Sequence, residues 1–386
     1  MTTEKNTKMH TLKKWLIGVL LPVALILIIF LFQKILVSHP AIGEAYAKGL
    51  FRVVSFIPAK LSSLVPISLT EITIVSLVLS APLIIAWLII RAVRAHREKR
   101  SKVFYFKLVR FLAWLAFAIY ATYMLLYGIN FTRYPLEESL GFGQRQYTVD
   151  EICEVYAWVV DNLNEARLAC EEDERGVVTY PGGYNALLKD LQDLYEESAK
   201  NIPEISGNSG RPKPVALSHY WSYTNIVGMF FPFYAEVNVN TDAEMAEEFF
   251  TACHELSHLH GFAVENDANF AAMLIGMNSS CPQLRYAGFS WALDLIEMDL
   301  YEAFNNDTDG LHDFLSQHPL VSGYFRDLDA LSEYWAKINP PKIVSEVSTA
   351  TNDTFLKMNQ QEDGEKSYQM PTSNVADYYF TRVKKA

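Results

Sequence analysis

Disulfide chemistry has little to work with in this sequence. Its 386 residues include four cysteines, Cys153, Cys170, Cys253 and Cys281, and the first 152 residues have none. So sparse a set excludes a disulfide-built scaffold. Cys153 and Cys170 fall on one expected helix, where a rise of about 1.5 Å per residue separates them by about 25 Å, too far to bond. The even count otherwise permits pairing in an oxidising compartment. No internal repeat and no low-complexity tract is found, which excludes solenoid and propeller arrays. Acidic side chains are nearly missing from the front: residues 1–130 hold four, against 16 Lys and Arg, for a net charge of +12. The remaining 40 acids and 17 bases give residues 131–386 a net charge of −23. That acidic majority argues against a nucleic-acid partner, because phosphate backbones attract positive surfaces.

Charge is absent altogether from three stretches of the front. Trp15–Phe32 (WLIGVLLPVALILIIFLF), Ile72–Ile90 and Phe111–Ile129 are each close to the roughly 20 apolar residues that a helix needs to cross a bilayer. Pro82 is expected to kink the second, and aromatic residues flank the third as interfacial anchors do. The first run exceeds the 7–15 apolar residues usual in a cleaved signal peptide, so a retained anchor is expected. The segment between the second and third spans, RAVRAHREKRSKVFYFKLVR, carries eight Lys and Arg and one acid. Positive loops stay in the cytoplasm, and the N-terminal MTTEKNTKMHTLKK is basic too. Three spans that begin inside end outside. The expected organisation is a membrane domain over residues 1–130 and an extracytoplasmic domain over 131–386.

The outer part reads as mainly helical with a small sheet. Apolar residues recur at helical spacing from Thr148 to about Glu172, and Thr148 with Glu151 makes a capping-box start. A Pro/Gly turn opens a second amphipathic helix in TYPGGYNALLKDLQDLYEESAK. Val215–Asn240 reads as extended. Within it Ala235, Val237 and Val239 alternate with Glu236, Asn238 and Asn240, the pattern of a half-buried strand. Pro232 limits its segment to an edge or bulge. Thr241 and Glu244 offer another capping box, and AEMAEEFFTACHELSHLH follows as a helix of about 17 residues that Gly261 ends. The fold class expected is α+β, three transmembrane helices followed by this helical domain.

The helix carries the chemistry. Residues four apart share a helical face, so His254 and His258 present two imidazoles to one metal ion. Glu255, one residue round, reaches a water at that ion without ligating it, which is the mechanical content of H-E-x-x-H. A catalytic zinc takes three protein ligands and keeps one position open. His260, Glu265 and Asp267 are the candidates for the third. His260 faces roughly the opposite way on a continuing helix, whereas a reversal at Gly261 can swing Glu265 or Asp267 back. Cys253 points about 100° from His254 and reads as a small buried thiol.

HELSH followed by Glu265-x-x-Ala268-Asn269 resembles the gluzincin arrangement. The resemblance implies Glu265 as third ligand and Asn269 as a support behind the ligands. The gap from His258 to Glu265 is short for gluzincins, and Gly261 stands at the offset typical of metzincins. A wider resemblance runs through NFTRYPL, GMFFPFYAEVNVN, HELSHLHGFAVENDANF, RYAGF and FLKMNQQEDGEKSY. In these segments the chain is similar to a family of bacterial membrane proteins catalogued only as a domain of unknown function and regarded as zincin-like. That resemblance implies a zincin-like metallopeptidase domain, Zn2+ as cofactor and a bacterial cell membrane, and it carries no substrate. It also puts forward Tyr286 of RYAGF as the oxyanion-stabilising residue, beside the other candidates Arg285, His219, Tyr220 and Tyr223.

The expected function is a membrane-anchored zinc metallopeptidase. Glu255 takes the proton of a water acidified by zinc and delivers it to the leaving amine. The strand Tyr234–Asn240 serves as the edge on which a peptide or protein substrate docks. An intramembrane protease is disfavoured, because Glu244, Glu247, Glu248 and Glu255 are too many acids for hydrocarbon. The alternative is a non-catalytic zincin-fold envelope protein that binds a ligand or partner. The intact Glu255 favours the enzyme.

Overall fold

A computed structural model describes residues 15–143, 145–305, 307–359 and 373–385. The basic tail through Lys14 and the last part of FLKMNQQEDGEKSY, beyond Asn359, lie outside the described residues. The chain forms two compact units. Met1–Val54 and Thr70–Arg133 make the first, and Ser55–Leu69 with Tyr134–Ala386 the second. Residues 55–69, which link the first two apolar helices, thus belong with the larger unit.

The first unit is helical. α1 (Leu16–Val37) is followed by α2 (Pro40–Lys48) and the opening of α3 (Leu50–Ser63), a helix whose residues from Ser55 on belong to the second unit, then by α4 (Leu69–Arg97) and α5 (Ser101–Leu126). α1, α4 and α5 are long and apolar enough to cross a membrane. Few of their side chains are covered by protein: Leu79 and Leu83 on α4 are 70% and 73% exposed. Helices α4 and α5 run past the charge-free stretches into the basic segment, and Lys99 turns the chain between them with φ +56°. At the exit of α5, Arg133 makes a two-pronged bond to the Glu44 carboxylate of α2, at 2.9 and 3.1 Å.

The second unit is mostly helical with a small sheet. α6 (Val149–Ala169) opens with the Thr148–Glu151 capping box, both of its reciprocal bonds formed. After α7 (Gly183–Ala199) come β1 (Lys213–Pro214), β2 (Gly228–Phe231) and β3 (Glu236–Val239), then α8 (Met245–Leu259), α9 (Glu265–Met277) and α10 (Pro282–Phe304). α11 (Ser322–Lys337) packs later in the chain. Gly276 of α9 and Gly288 of α10 meet so closely that a Cβ on either would clash with the other's backbone.

The sheet departs from expectation in two ways. Its order is β1-β3-β2, with β3 parallel to β1 and antiparallel to β2. The strand expected to be a peptide-docking edge is therefore the centre, and β2 is the edge beside it. All four residues of β3 are buried, with no polar face turned to solvent. Glu236 instead accepts from Lys213 Nζ at 2.5 Å, Ser68 Oγ at 3.3 Å and the Leu69 N–H at 3.2 Å. Asn238 accepts from Ser68 Oγ at 2.6 Å. Ala235 takes φ +45° in the turn after Pro232, which shortens the strand to begin at Glu236. α8 likewise begins at Met245, two residues after the expected Ala243, and its cap position is Glu244 instead of Thr241. Glu244 is committed to Arg175 and leaves no side-chain cap.

Candidate metal centre

α8 is buried along nearly its whole length, with Phe249, Ala252, Leu256 and Leu259 fully enclosed. It ends as the sequence indicates. Gly261 adopts φ +94°, a conformation open to glycine at little cost, and its N–H caps the His258 carbonyl. The chain then doubles back into α9, which starts at Glu265.

That reversal brings together three groups that could hold a metal ion. His254 Nε2 lies 3.1 Å and His258 Nε2 3.5 Å from the same oxygen, Glu265 Oε2. Ligands about 2.0–2.2 Å from one tetrahedral ion stand roughly 3.3–3.6 Å apart, so the spacing fits. Among the described residues this is the one group of three or more His, Cys, Asp or Glu able to hold a metal ion. The orientation of each ring is fixed from behind. His254 Nδ1 donates to Asn269 Oδ1 at 2.7 Å, and His258 Nδ1 donates to the Phe262 carbonyl at 2.6 Å. Both partners are oxygens that accept only, which holds the proton on Nδ1 and turns Nε2 toward Glu265.

The electrostatics suit a cation. Burial opposes charge on His258, but the Glu265 carboxylate overrides it and raises His258 to about 9. Glu265 is pulled the other way: burial would raise it, yet His258 and His254 bring it down to about 2. A proton at His258 Nε2 and a metal ion compete for one lone pair.

Glu255 sits beside this group without joining it. The backbone N–H of Phe230 on β2 bonds its carboxylate, while Oε2 has no hydrogen-bond partner among the described residues. Burial lifts its carboxyl above the ordinary range, the two histidines offsetting part of this. Strand β2 lies against it. A Cβ on Gly228 would stand 2.6 Å from both Cγ and Oε1 of Glu255. The Phe230 ring reaches His258, with centroids 6.3 Å apart. Neither Gly228 nor Phe230 was marked by the motif. The one hint is a lone glycine inside a strand-like run, a sign of close backbone approach.

The other candidates go elsewhere. Asp267 accepts the Leu136 N–H at 2.9 Å. His260 donates from Nδ1 to the Ile205 carbonyl and packs its ring on Tyr195. Cys253 is a buried thiol pushed up by desolvation, and all four cysteines are free. Tyr286 is not brought to the histidines. Its hydroxyl donates to Asp327 Oδ2 at 2.8 Å, and Asp327 also takes the buried Arg167 guanidinium. Gly288, two residues on, packs at the Gly276 end of α9, about 16 Å along that helix from Glu265. Tyr286 therefore clasps α10 to α6 and α11. Arg285 bonds Asn162. His219 bridges Asp242 and Tyr223.

A family model described as a protein of unknown function (DUF3810) matches residues 46–373. No curated protein and no solved structure matches the chain.

Proposed function

The chain belongs to this family of proteins of unknown function, DUF3810, and we propose that it is a membrane-anchored, zinc-dependent metallopeptidase acting outside the cytoplasm. One observation carries the reading: two imidazoles pinned at Nδ1 converge with Glu265, while the carboxylate of Glu255 stands beside them with one oxygen unpartnered among the described residues. His254, His258 and Glu265 are the ligands of the zinc. A bound zinc supplies Lewis acidity, which acidifies a water and polarises a carbonyl.

The chain's own residues do the rest. Glu255 takes the proton of the attacking water and passes it to the leaving amine. Its raised affinity for protons suits that exchange, as does the burial that excludes competing solvent. An extended peptide docks on β2, the edge strand over Glu255 and His258, where backbone hydrogen bonds give affinity without regard to side chain.

Placement outside the cytoplasm rests on two facts. The eight Lys and Arg between the second and third spans favour a cytoplasmic loop. Residues 55–69, after the first span, and residues 134–386, after the third, share one compact unit. Both must then lie on the same side of the bilayer, the parity that three crossings require.

The test compares the full-length protein with Glu255→Gln. Both should hold one zinc per chain, and only the first should cleave members of a quenched-fluorescence peptide library. Zinc in both with cleavage by neither would favour a binding protein over an enzyme.

A further inference from the structure

One acid on the site helix has no role in this chemistry. Glu248 precedes Glu255 by seven residues, and at about 100° per residue two turns bring its side chain back to within about 20° of the base. Thr251 fills the step between them. A Cβ on Gly228 would lie 2.8 Å from Thr251 Cγ2 and 2.6 Å from Glu255, so β2 begins over the Thr251–Glu255 end of this stripe. Glu248 is fully buried, and neither carboxylate oxygen has a hydrogen-bond partner among the described residues.

Among the described residues, the charged groups that act on Glu248 are both acids, Glu247 and Glu255, and Glu244 one turn earlier is already paired with Arg175. Besides burial, Glu247 and Glu255 are what lift its carboxyl well above the ordinary range. Glu247 has the Trp335 indole N–H as partner, and burial raises it to about 7. Tyr184 lies in the field of Glu248, Glu244 and Asp242. Metal chemistry does not account for Glu248, because the one ligand cluster among the described residues is His254, His258 and Glu265. Buried polar groups without partners are rare in folded proteins, and an acid left so invites a positive group from outside.

We infer that Glu248 is a specificity-determining residue, the receptor for a Lys or Arg side chain on the C-terminal side of the substrate's cleaved bond. The inference rests on the metallopeptidase reading and deepens it. Direction follows from β2, which runs from Gly228 over Thr251 and Glu255 toward Phe230 over His258. A peptide paired antiparallel to β2, the more stable arrangement, runs the opposite way and carries its C-terminal part toward Glu248. Distance agrees. Two helical turns are about 10 Å, which a long basic side chain spans from the first or second residue beyond the cleaved bond.

The test uses full-length Glu255→Gln protein loaded with zinc, which binds peptides without turning them over. It is titrated with hexapeptides carrying Lys or its uncharged analogue norleucine at each position in turn. At one position Lys should bind at least about tenfold tighter than norleucine. The gap should shrink below about twofold when Glu248→Gln is added. Equal affinities at every position, or a gap that survives Glu248→Gln, would overturn the inference, and the first comparison stands even if the double variant fails to fold. A gap without any cleavage by the wild type would sink the peptidase reading and leave the cation receptor. Cleavage without a gap would do the reverse.

Discussion

Gly228→Ala puts the placement of Glu255 to its most direct trial. The glycine has no positive φ, so alanine costs nothing through backbone conformation, and the whole effect is steric. The new methyl would sit 2.6 Å from Glu255 Cγ and Oε1 and 2.8 Å from Thr251 Cγ2, where ordinary contact is 3.4–4 Å. β2 and α8 must therefore separate by about 1 Å, or Glu255 must rotate away. Strand β2 cannot drift alone, because Gly228 and its neighbours pair with Val239, Asn238 and Val237 of the buried β3. Overpacking of this kind costs about 1–3 kcal/mol of stability. A displacement of about 1 Å in a catalytic group costs about a hundredfold in rate.

The ligands should be spared. His254 and His258 are held at Nδ1 by Asn269 and the Phe262 carbonyl, which belong to α9 and to the turn before it. Purified Gly228→Ala protein should thus keep one zinc per chain by elemental analysis, melt at a lower temperature and lose about a hundredfold in kcat/KM. Gly143→Ala is the control, since its Cβ would meet nothing within 4 Å. Wild-type kcat/KM in Gly228→Ala would refute the idea that Glu255 acts from beneath β2. Loss of zinc would instead mean that the strand, not Asn269 and Phe262, orders the ligands.

Three further outcomes are expected. Asn269→Ala removes the acceptor that orients His254, and zinc affinity measured by chelator competition should weaken about 10- to 100-fold. The raised value of His258, about 9, means that its bond to Glu265 stabilises the metal-free protein below pH 6.5 and fades as pH rises through 9. Zinc must displace that proton, so affinity should climb with pH up to about 9, and calorimetry in buffers of different ionisation heat should detect about one proton released at pH 7.5; no release would contradict the assignment. Lys213→Met leaves Glu236 buried without its cation and should cost about 3–5 kcal/mol in denaturant unfolding, part of it recovered in a double variant with Glu236→Gln.

What the sequence made legible was whatever lies along one element. The charge-free runs of the spans, the capping box at Thr148 and the i, i+4 pair His254 and His258 need no knowledge of a partner. The errors share the opposite cause. Alternation in Glu236, Asn238 and Asn240 reports that three side chains face away from three apolar ones, and the rule assumes that this face meets water. Here it meets Lys213, Ser68 and Ser222, the first two being 23 residues from Glu236 and 170 from Asn238 along the chain. A two-residue strand at Lys213–Pro214 has no periodicity to read, so the central place of β3 was invisible. Of Glu265 and Asp267, the one that stands with the two histidines is Glu265, while Asp267 accepts the N–H of Leu136, 131 residues upstream. Tyr286 was lost to Asp327 in the same manner. Glu248 is the instructive case, because sequence counts it only as a charge unwelcome in hydrocarbon. Its carboxylate has no hydrogen-bond partner among the described residues, and a missing partner becomes visible only once the side chains around it have been placed.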